Sequence, residues 1–466
     1  MVKLSDPARA RLREIVGETH YQDSPEDLIC YSYDAALEES PPEAVVYPGS
    51  AAEIAAIMRL ANEEGCAVTP RGAGTGLSGG SVPMRGGVVM VTTRLNAIEQ
   101  VNTDDLYAVV EPGTITADLA GAAAKHNLLY PPDPASLAVS TMAGNVAENS
   151  GGLRGLKYGV TKHYILALDV ITPTGEFLHT GAVTVKCATG YDLTRLMVGS
   201  EGTLGVITKI WCKLVPMPEH KESMLAVFGD MDDAARSVAA IIRSGVIPAT
   251  LEFLDRVTIN AVEDFKGIGL PRDAEAILLI ETDGQRQAAI AEAEKVVAVC
   301  RENKASTVRT AANEQEREQL WQARRSALSA LARVRPTTIL EDATVPRSRV
   351  PDMVRGVREI AERHGVAIGN FGHAGDGNLH PTLLTDVRDK AEFARAEKAI
   401  DDIFALALSL GGTLSGEHGI GSAKARYLEK EVGPVGLDIL RSIKRAFDPN
   451  GVLNPGKMNL EVGCRT

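Results

Sequence analysis

Two short stretches hold the residues best suited to chemistry. FGHAGDGNLHP, residues 371–381, places His373 and His380 on either side of an Ala-Gly-Asp-Gly-Asn turn. SGEHGIG, residues 415–421, sets Glu417 and His418 side by side between glycines. The run VAIGNFGH (366–373) is apolar and punctuated by glycine, as a buried strand is, and LHPTLL (379–384) is its return through a hairpin-like turn. A short hairpin brings its ends together, so both imidazoles can face one ion. With the Glu417 carboxylate they make a His-His-Glu set with open positions, the arrangement that holds a catalytic divalent metal such as zinc, manganese or iron. His418 is then left beside the ion, where a neutral imidazole serves as general base for a hydroxyl. Asn378, in the turn itself, is a candidate substrate contact.

The whole chain limits what these residues can serve. At 466 residues it exceeds one ordinary core, so two or three domains are expected. The net charge, 49 basic minus 61 acidic residues or −12, argues against nucleic acid as a partner. No apolar run reaches transmembrane length. The opening MVKLSDPARARLREIVG is interspersed with charge and lacks the apolar core of a secretory signal. The six cysteines, at 30, 66, 187, 212, 300 and 464, form no CxxC pair. The chain therefore brings no iron–sulfur cluster of its own and reads as a reduced cytoplasmic protein, any membrane association being peripheral and through a partner.

The first half must position a second ligand. Ser50 caps a helix carrying Ile54, Ile57, Met58 and Ala61 at helical spacing, and AVTP (67–70) starts the next strand. RGAGTGLSGGS (71–81) follows, with five glycines among eleven residues. Such a loop presents backbone N–H groups at close range, as a pyrophosphate requires. No Lys-Ser/Thr pair closes it as in an NTPase loop, and it leads to another strand rather than to the helix of a dinucleotide fold. Its companions are VVEPGTITADLA (109–120), the proline-fixed PPDPAS (131–136), TMAGNVAENSGGLRGLKYG (141–159) and DLTRLMVGSEGTLGVIT (192–208). Three glycine-rich runs in one half of a chain ask for an extended ligand with phosphates and polar ring edges.

PRGAGTGLSGGS, the 141–159 run and GSEGTLGVIT resemble the flavin-binding domain of the vanillyl-alcohol oxidase and para-cresol methylhydroxylase superfamily. HAGDGNLH with GEHGIG and FDPNGVLNPGKM (447–458) resembles its FAD-linked D-2-hydroxy acid dehydrogenase branch, which holds the flavin subunit of glycolate oxidase, D-lactate dehydrogenases and D-2-hydroxyglutarate dehydrogenases. The resemblance covers about residues 40 to 460. It implies an α+β fold, with an FAD-binding domain over 1–216, a substrate-capping domain over 217–416 and a segment, 417–466, returning to the flavin.

The resemblance implies flavin contacts from Arg71, Gly72, Ala73, Gly74, Thr75, Gly76 and Ser78 in the first loop. Pro134 and Ser136 would follow, then Thr141, Gly144, Asn145, Asn149, Gly151 and Gly152, and finally Gly202, Val206, Ile207 and Asn454. Residues 70–82 contain neither the histidine nor the cysteine that tethers flavin in some superfamily members, so FAD is expected to be noncovalent. Arg324, three residues after Trp321, matches the arginine that grips the substrate carboxylate, a task its planar fork suits. Members acting on larger diacids carry further cations near EDATVP (341–346), and Leu340, two before Asp342, is apolar. The reaction implied is oxidation of D-lactate or glycolate to the 2-oxo acid, with hydride passing to the flavin and electrons to a separate iron–sulfur subunit, electron-transfer flavoprotein or quinone-linked partner. A D-2-hydroxyglutarate dehydrogenase and a metal-free alcohol or carbohydrate oxidase are the alternatives.

Overall fold

The computed structural model describes residues 3–461, so Cys464 lies outside them. The chain divides into two units, the first made of 1–150, 160–217 and 417–466 and the second of 151–159 and 218–416.

In the first unit, the strands Ala44–Val46 and Val68–Arg71 lie parallel on either side of Val88–Val91. The crossover is the helix Ala51–Glu64, started by the Ser50 hydroxyl accepting from Glu53 N and stopped by Gly65 at φ 66°. Its Ile54, Ile57 and Met58 pack with Val46, Val68 and Met90 into one apolar core. Val452 and Leu453 of the returning segment complete that core. Val68 N donates to Val452 O at 2.8 Å and Val68 O accepts from Asn454 N at 2.7 Å, fixing the tail beside the strand that feeds the first glycine loop. A five-stranded antiparallel sheet, including Tyr107–Val110, Ile165–Ile171 and Val206–Lys213, forms the rest of the unit's framework.

The second unit is built on an antiparallel sheet in which Ala276–Gly284, Thr250–Asp255, Ala367–His373 and Asn378–Thr385 are successive neighbours. Thr250–Asp255 is buried at every position and Ala276–Gly284 at all but its last, so both faces of these strands are covered. The helices Arg256–Lys266 and Glu314–Arg325 share a core with Leu254, Ile277 and Phe371. Gly151–Gly159, which the sequence grouped with the flavin domain, packs in this unit. The reason is polar: Lys157 Nζ donates to Asp283 O at 2.6 Å, and the Tyr158 hydroxyl donates to Asp283 Oδ2 at 2.6 Å.

Asp255 joins two of these elements. Its Oδ1 caps the helix Arg256–Lys266 through Thr258 N, and its Oδ2 accepts from Asn370 N, each at 2.8 Å. Burial pushes its carboxyl up to about 6. Asp255→Ala removes the cap and strands a buried N–H on the histidine-bearing strand. We expect a loss of roughly 2–4 kcal/mol, measured by denaturant unfolding with the slope unchanged.

Candidate active site

The strand Ala367–His373 pairs with Asn378–Thr385 in the register Phe371↔His380 and His373↔Asn378. Side chains of residues two apart share a face, and directly opposed residues share it too, so Phe371, His373, Asn378 and His380 all project to the same side. The two imidazoles stand edge to face with ring centroids 5.2 Å apart, both buried. Gly377 makes the turn: at φ 88°, a Cβ there would come within 2.1 Å of Val345 O.

The His373 imidazole has a carboxylate hydrogen-bonded at its Nδ1, and a second carboxylate lies near His380. Thr250–Asp255 lies on the other side of the histidine strand, pairing Phe253 with Gly372 and Leu254 with Phe371. Extending that register by one residue sets Glu252 opposite His373, and Glu252 Oε1 meets His373 Nδ1 at 2.7 Å. Arg324 Nε donates to Glu252 Oε2, and its guanidinium lies 4.8 Å from the centre of the Phe371 ring. Burial alone would raise the Glu252 pKa, but the neighbouring His373 and Arg324 outweigh it and hold the carboxyl below the usual glutamate range. An ionised Glu252 can only accept, so His373 carries a proton on Nδ1, and in the neutral ring the lone pair then sits on Nε2. His380 Nδ1 lies 3.8 Å from Asp342 Oδ1. Asp342 is fully buried and also receives Asn378 Nδ2, the Ser415 hydroxyl at 2.6 Å and Gly416 N at 2.8 Å. Asn378 Nδ2 reaches Thr344 Oγ1 at 2.7 Å as well, so this amide is oriented by two partners. Two buried imidazoles on one face, one of them held by a carboxylate, beside a buried arginine have the chemistry of a divalent-metal ligand pair next to an anion clamp.

Glu417 and His418 open the returning segment, one bond after the anchored Gly416. The two side chains approach to 3.8 Å, between Glu417 Oε1 and His418 Nε2.

The flavin candidates gather in the first unit. Arg71 is buried and donates to Tyr33 O at 2.7 Å. Gly72 could take no side chain, since a Cβ would lie 2.1 Å from Thr141 Oγ1, and Gly74 turns at φ 71°. Ala73 and Thr75 lie in the same loop, and Gly76 O receives Ala35 N at 2.9 Å. The loop of Pro134 and Ser136 is closed by Leu137 N on Pro134 O and Ser140 N on Ser136 O. Thr141 caps the helix Met142–Glu148 through Gly144 N. Asn145 Nδ2 donates to Thr116 Oγ1 at 2.6 Å, and Asn149 ends the helix at φ 55°. Gly202 turns at φ 65° just before Val206 and Ile207 open their strand. Asn454 Nδ2 donates to Gly80 O at 2.9 Å and Glu201 O at 2.8 Å. Gly151 and Gly152 are the exceptions, falling in the second unit. Ser78 Oγ, Glu148 Oε2 and Asn454 Oδ1 are buried without a hydrogen-bond partner. Polar atoms held ready among close-approaching glycine backbone fit a polar cofactor of the FAD kind.

The sequence reading missed an acidic group here. Glu201 receives Ile420 N at 2.7 Å and Gly421 N at 2.6 Å, and a Cβ on Gly419 would lie 2.3 Å from Glu148 Oε2 and 3.0 Å from Glu201 Oε1. Burial, reinforced by Glu201, raises the Glu148 pKa well above the usual value. Lys457 faces the same carboxylates and is depressed by burial to about 8.

The folded chain therefore holds a proton on Glu148 that the unfolded chain, with a glutamate pKa near about 4.3, releases. Stability from this group is complete below that value and declines as pH rises through the raised folded value. Lys457 has the opposite sign, but only above pH 8 or so. Between about pH 5 and 7.5, Glu148→Gln is thus expected to flatten the fall of Tm with pH, and parallel melting curves would remove Glu148 from this role.

Residues 42–181 match the FAD binding domain family, and residues 217–458 match the C-terminal domain of the FAD linked oxidases. The chain is 48% identical to glycolate oxidase subunit GlcD of Bacillus subtilis, over 98% of its own length and 97% of that protein. It is 39% identical to the Escherichia coli K12 subunit of the same name (96% and 89% covered) and 35% identical to D-lactate dehydrogenase of Anaerostipes hadrus (96% and 94%). The fold is also that of p-cresol methylhydroxylase with substrate bound, at a TM-score of 0.80 and 16% identity over 99% of this chain and 98% of that one. No helix among the described residues is long and apolar enough to cross a membrane. With both family domains present in order and close relatives matched along nearly their whole length, the chain belongs to the FAD-linked oxidases, a family of flavin-dependent oxidoreductases.

Proposed function

We propose that this enzyme oxidises a short D-2-hydroxy acid, D-lactate or glycolate, to the 2-oxo acid. The observation that carries the reading is the buried group of His373, His380 and Arg324, with Glu252 holding both His373 and Arg324. FAD, held without a covalent tether, supplies the two-electron acceptor. His373, His380 and Glu417 would hold one divalent metal, whose chemistry is to polarise a hydroxyl and lower its pKa. Glu417 is assigned through chain continuity: Gly416 is anchored on Asp342, the carboxylate beside His380.

The chain's own groups do the rest. Arg324 has its Nε on Glu252, and its terminal amino groups would grip the substrate carboxylate. The carbonyl oxygen of Asn378, oriented by two bonds to its amide nitrogen, would accept from a substrate hydroxyl. His418 would take the hydroxyl proton as the C–H bond breaks. Apolar Leu340 favours short acids over diacids. The chain has no CxxC pair to carry electrons onward, and the relatives called GlcD are named as subunits, so we assign electron exit to a separate iron–sulfur subunit, electron-transfer flavoprotein or quinone-linked partner.

A panel of D- and L-2-hydroxy acids with an artificial dye acceptor tests the reaction class. Dye reduction by D-lactate or glycolate is expected, and a chain that turns over only simple alcohols or sugars would refute the assignment. Arg324→Lys, which keeps the charge facing Glu252, is expected to lower kcat/KM about 10²-fold, mostly through KM.

His418→Ala is expected to slow flavin reduction about 10²–10⁴-fold in single-turnover experiments while FAD and metal stay bound. Loss of metal from the variant would make His418 a ligand, and an unchanged rate would take it out of the chemistry.

A further inference from the structure

Glu252 does more than neutralise a buried arginine. It sits in the strand TLEFLD, buried at every position, with no exposed surface of its own. Its two oxygens go to two different functional side chains: Oε1 to His373 Nδ1 and Oε2 to Arg324 Nε. We propose that Glu252 is the positioning residue that sets both halves of the site at once, fixing the His373 tautomer for metal ligation and the Arg324 guanidinium for the substrate carboxylate. The inference rests on the metal and carboxylate roles assigned above and adds the residue on which both depend.

The argument is one of donors and acceptors. A carboxylate offers an acceptor on each arm, so it can take an N–H from the imidazole and another from the guanidinium together. With Nδ1 protonated, Nε2 is the nitrogen with a lone pair for a cation. With Nε occupied and the guanidinium lying 4.8 Å from the centre of the Phe371 ring, the Arg324 plane is set and its remaining N–H donors sit on the terminal amino groups. A purely structural ion pair between the helix Glu314–Arg325 and the sheet would need the arginine alone. It would not need an imidazole nitrogen on the second oxygen.

Glu252→Gln separates the two roles because a carboxamide has only one accepting arm. If its oxygen faces His373, its amino group meets Arg324 Nε–H, donor against donor. If it turns over, both contacts are satisfied, but His373 must accept at Nδ1 and carry its proton on Nε2. The variant therefore settles in the arrangement that disables His373 as a ligand. Arg324→Met in the same chain removes the opposing donor, so the glutamine oxygen can face His373 again.

The experiment measures the affinity of the FAD-loaded protein for zinc, by competition with a chromophoric chelator. Wild type, Glu252→Gln, Arg324→Met and the double variant are compared, with FAD content and Tm recorded for each. Glu252→Gln is expected to bind zinc about 10–100-fold more weakly than wild type, the usual cost of losing the partner of a ligating histidine. Arg324→Met should stay close to wild type, and the double variant should recover most of the loss. If Glu252→Gln alone fails to fold, the double variant decides: it must bind zinc nearly as well as Arg324→Met. Zinc affinity unchanged in Glu252→Gln, with only Tm lowered, overturns the proposal and leaves the metal reading intact. A loss that the double variant does not recover overturns the tautomer argument. A wild type that binds no zinc overturns the metal reading and this proposal together.

Discussion

A carboxylate taken out of water must recover its hydrogen bonds from the chain, and the candidate site of this protein is organised by groups under that demand. Glu252 collects an imidazole and a guanidinium from segments 121 and 72 residues away. Asp342 collects Asn378, Ser415 and Gly416, which ties the histidine hairpin to the chain just ahead of Glu417. Within the first unit, Glu201 collects Ile420 N and Gly421 N. These loops are rich in glycine and have few side chains with which to hold themselves. The buried acids supply the rigidity that glycine withholds, while glycine supplies the close approach that bulkier residues would block.

The parts of the site legible in the sequence were those set by local rules. Strand alternation and a glycine turn are enough to place His373 and His380 on one face of a hairpin, and the scarcity of Cβ atoms marks the loop after Arg71. The resemblance added Arg324, whose helix alone shows only a basic C-terminal turn. Glu252 escaped notice because both its partners are remote in sequence, although a glutamate inside an otherwise apolar TLEFLD is an anomaly that asks for a partner. Gly151 and Gly152 were read with the flavin loops on composition. What decides their unit is the clasp of Lys157 and Tyr158 on Asp283, more than a hundred residues later, which no local pattern announces. Glu148 and Glu201 stayed hidden for a similar reason: their burial depends on Gly419–Gly421 packing against them from the far end of the chain.

The way the chain passes back and forth has a consequence for how the protein is made. Everything the second unit needs is encoded by residue 416, so its last residues emerge from the ribosome before those of the segment that returns to the first unit. The first unit begins earlier but cannot finish, because Val68 waits for Val452 and Asn454, and its apolar core waits for Val452 and Leu453. The order of completion is therefore the reverse of the order of translation. The glycine loops assigned to the flavin thus stand on a scaffold whose completing piece, Val452 to Asn454, is among the last parts of the chain to be made.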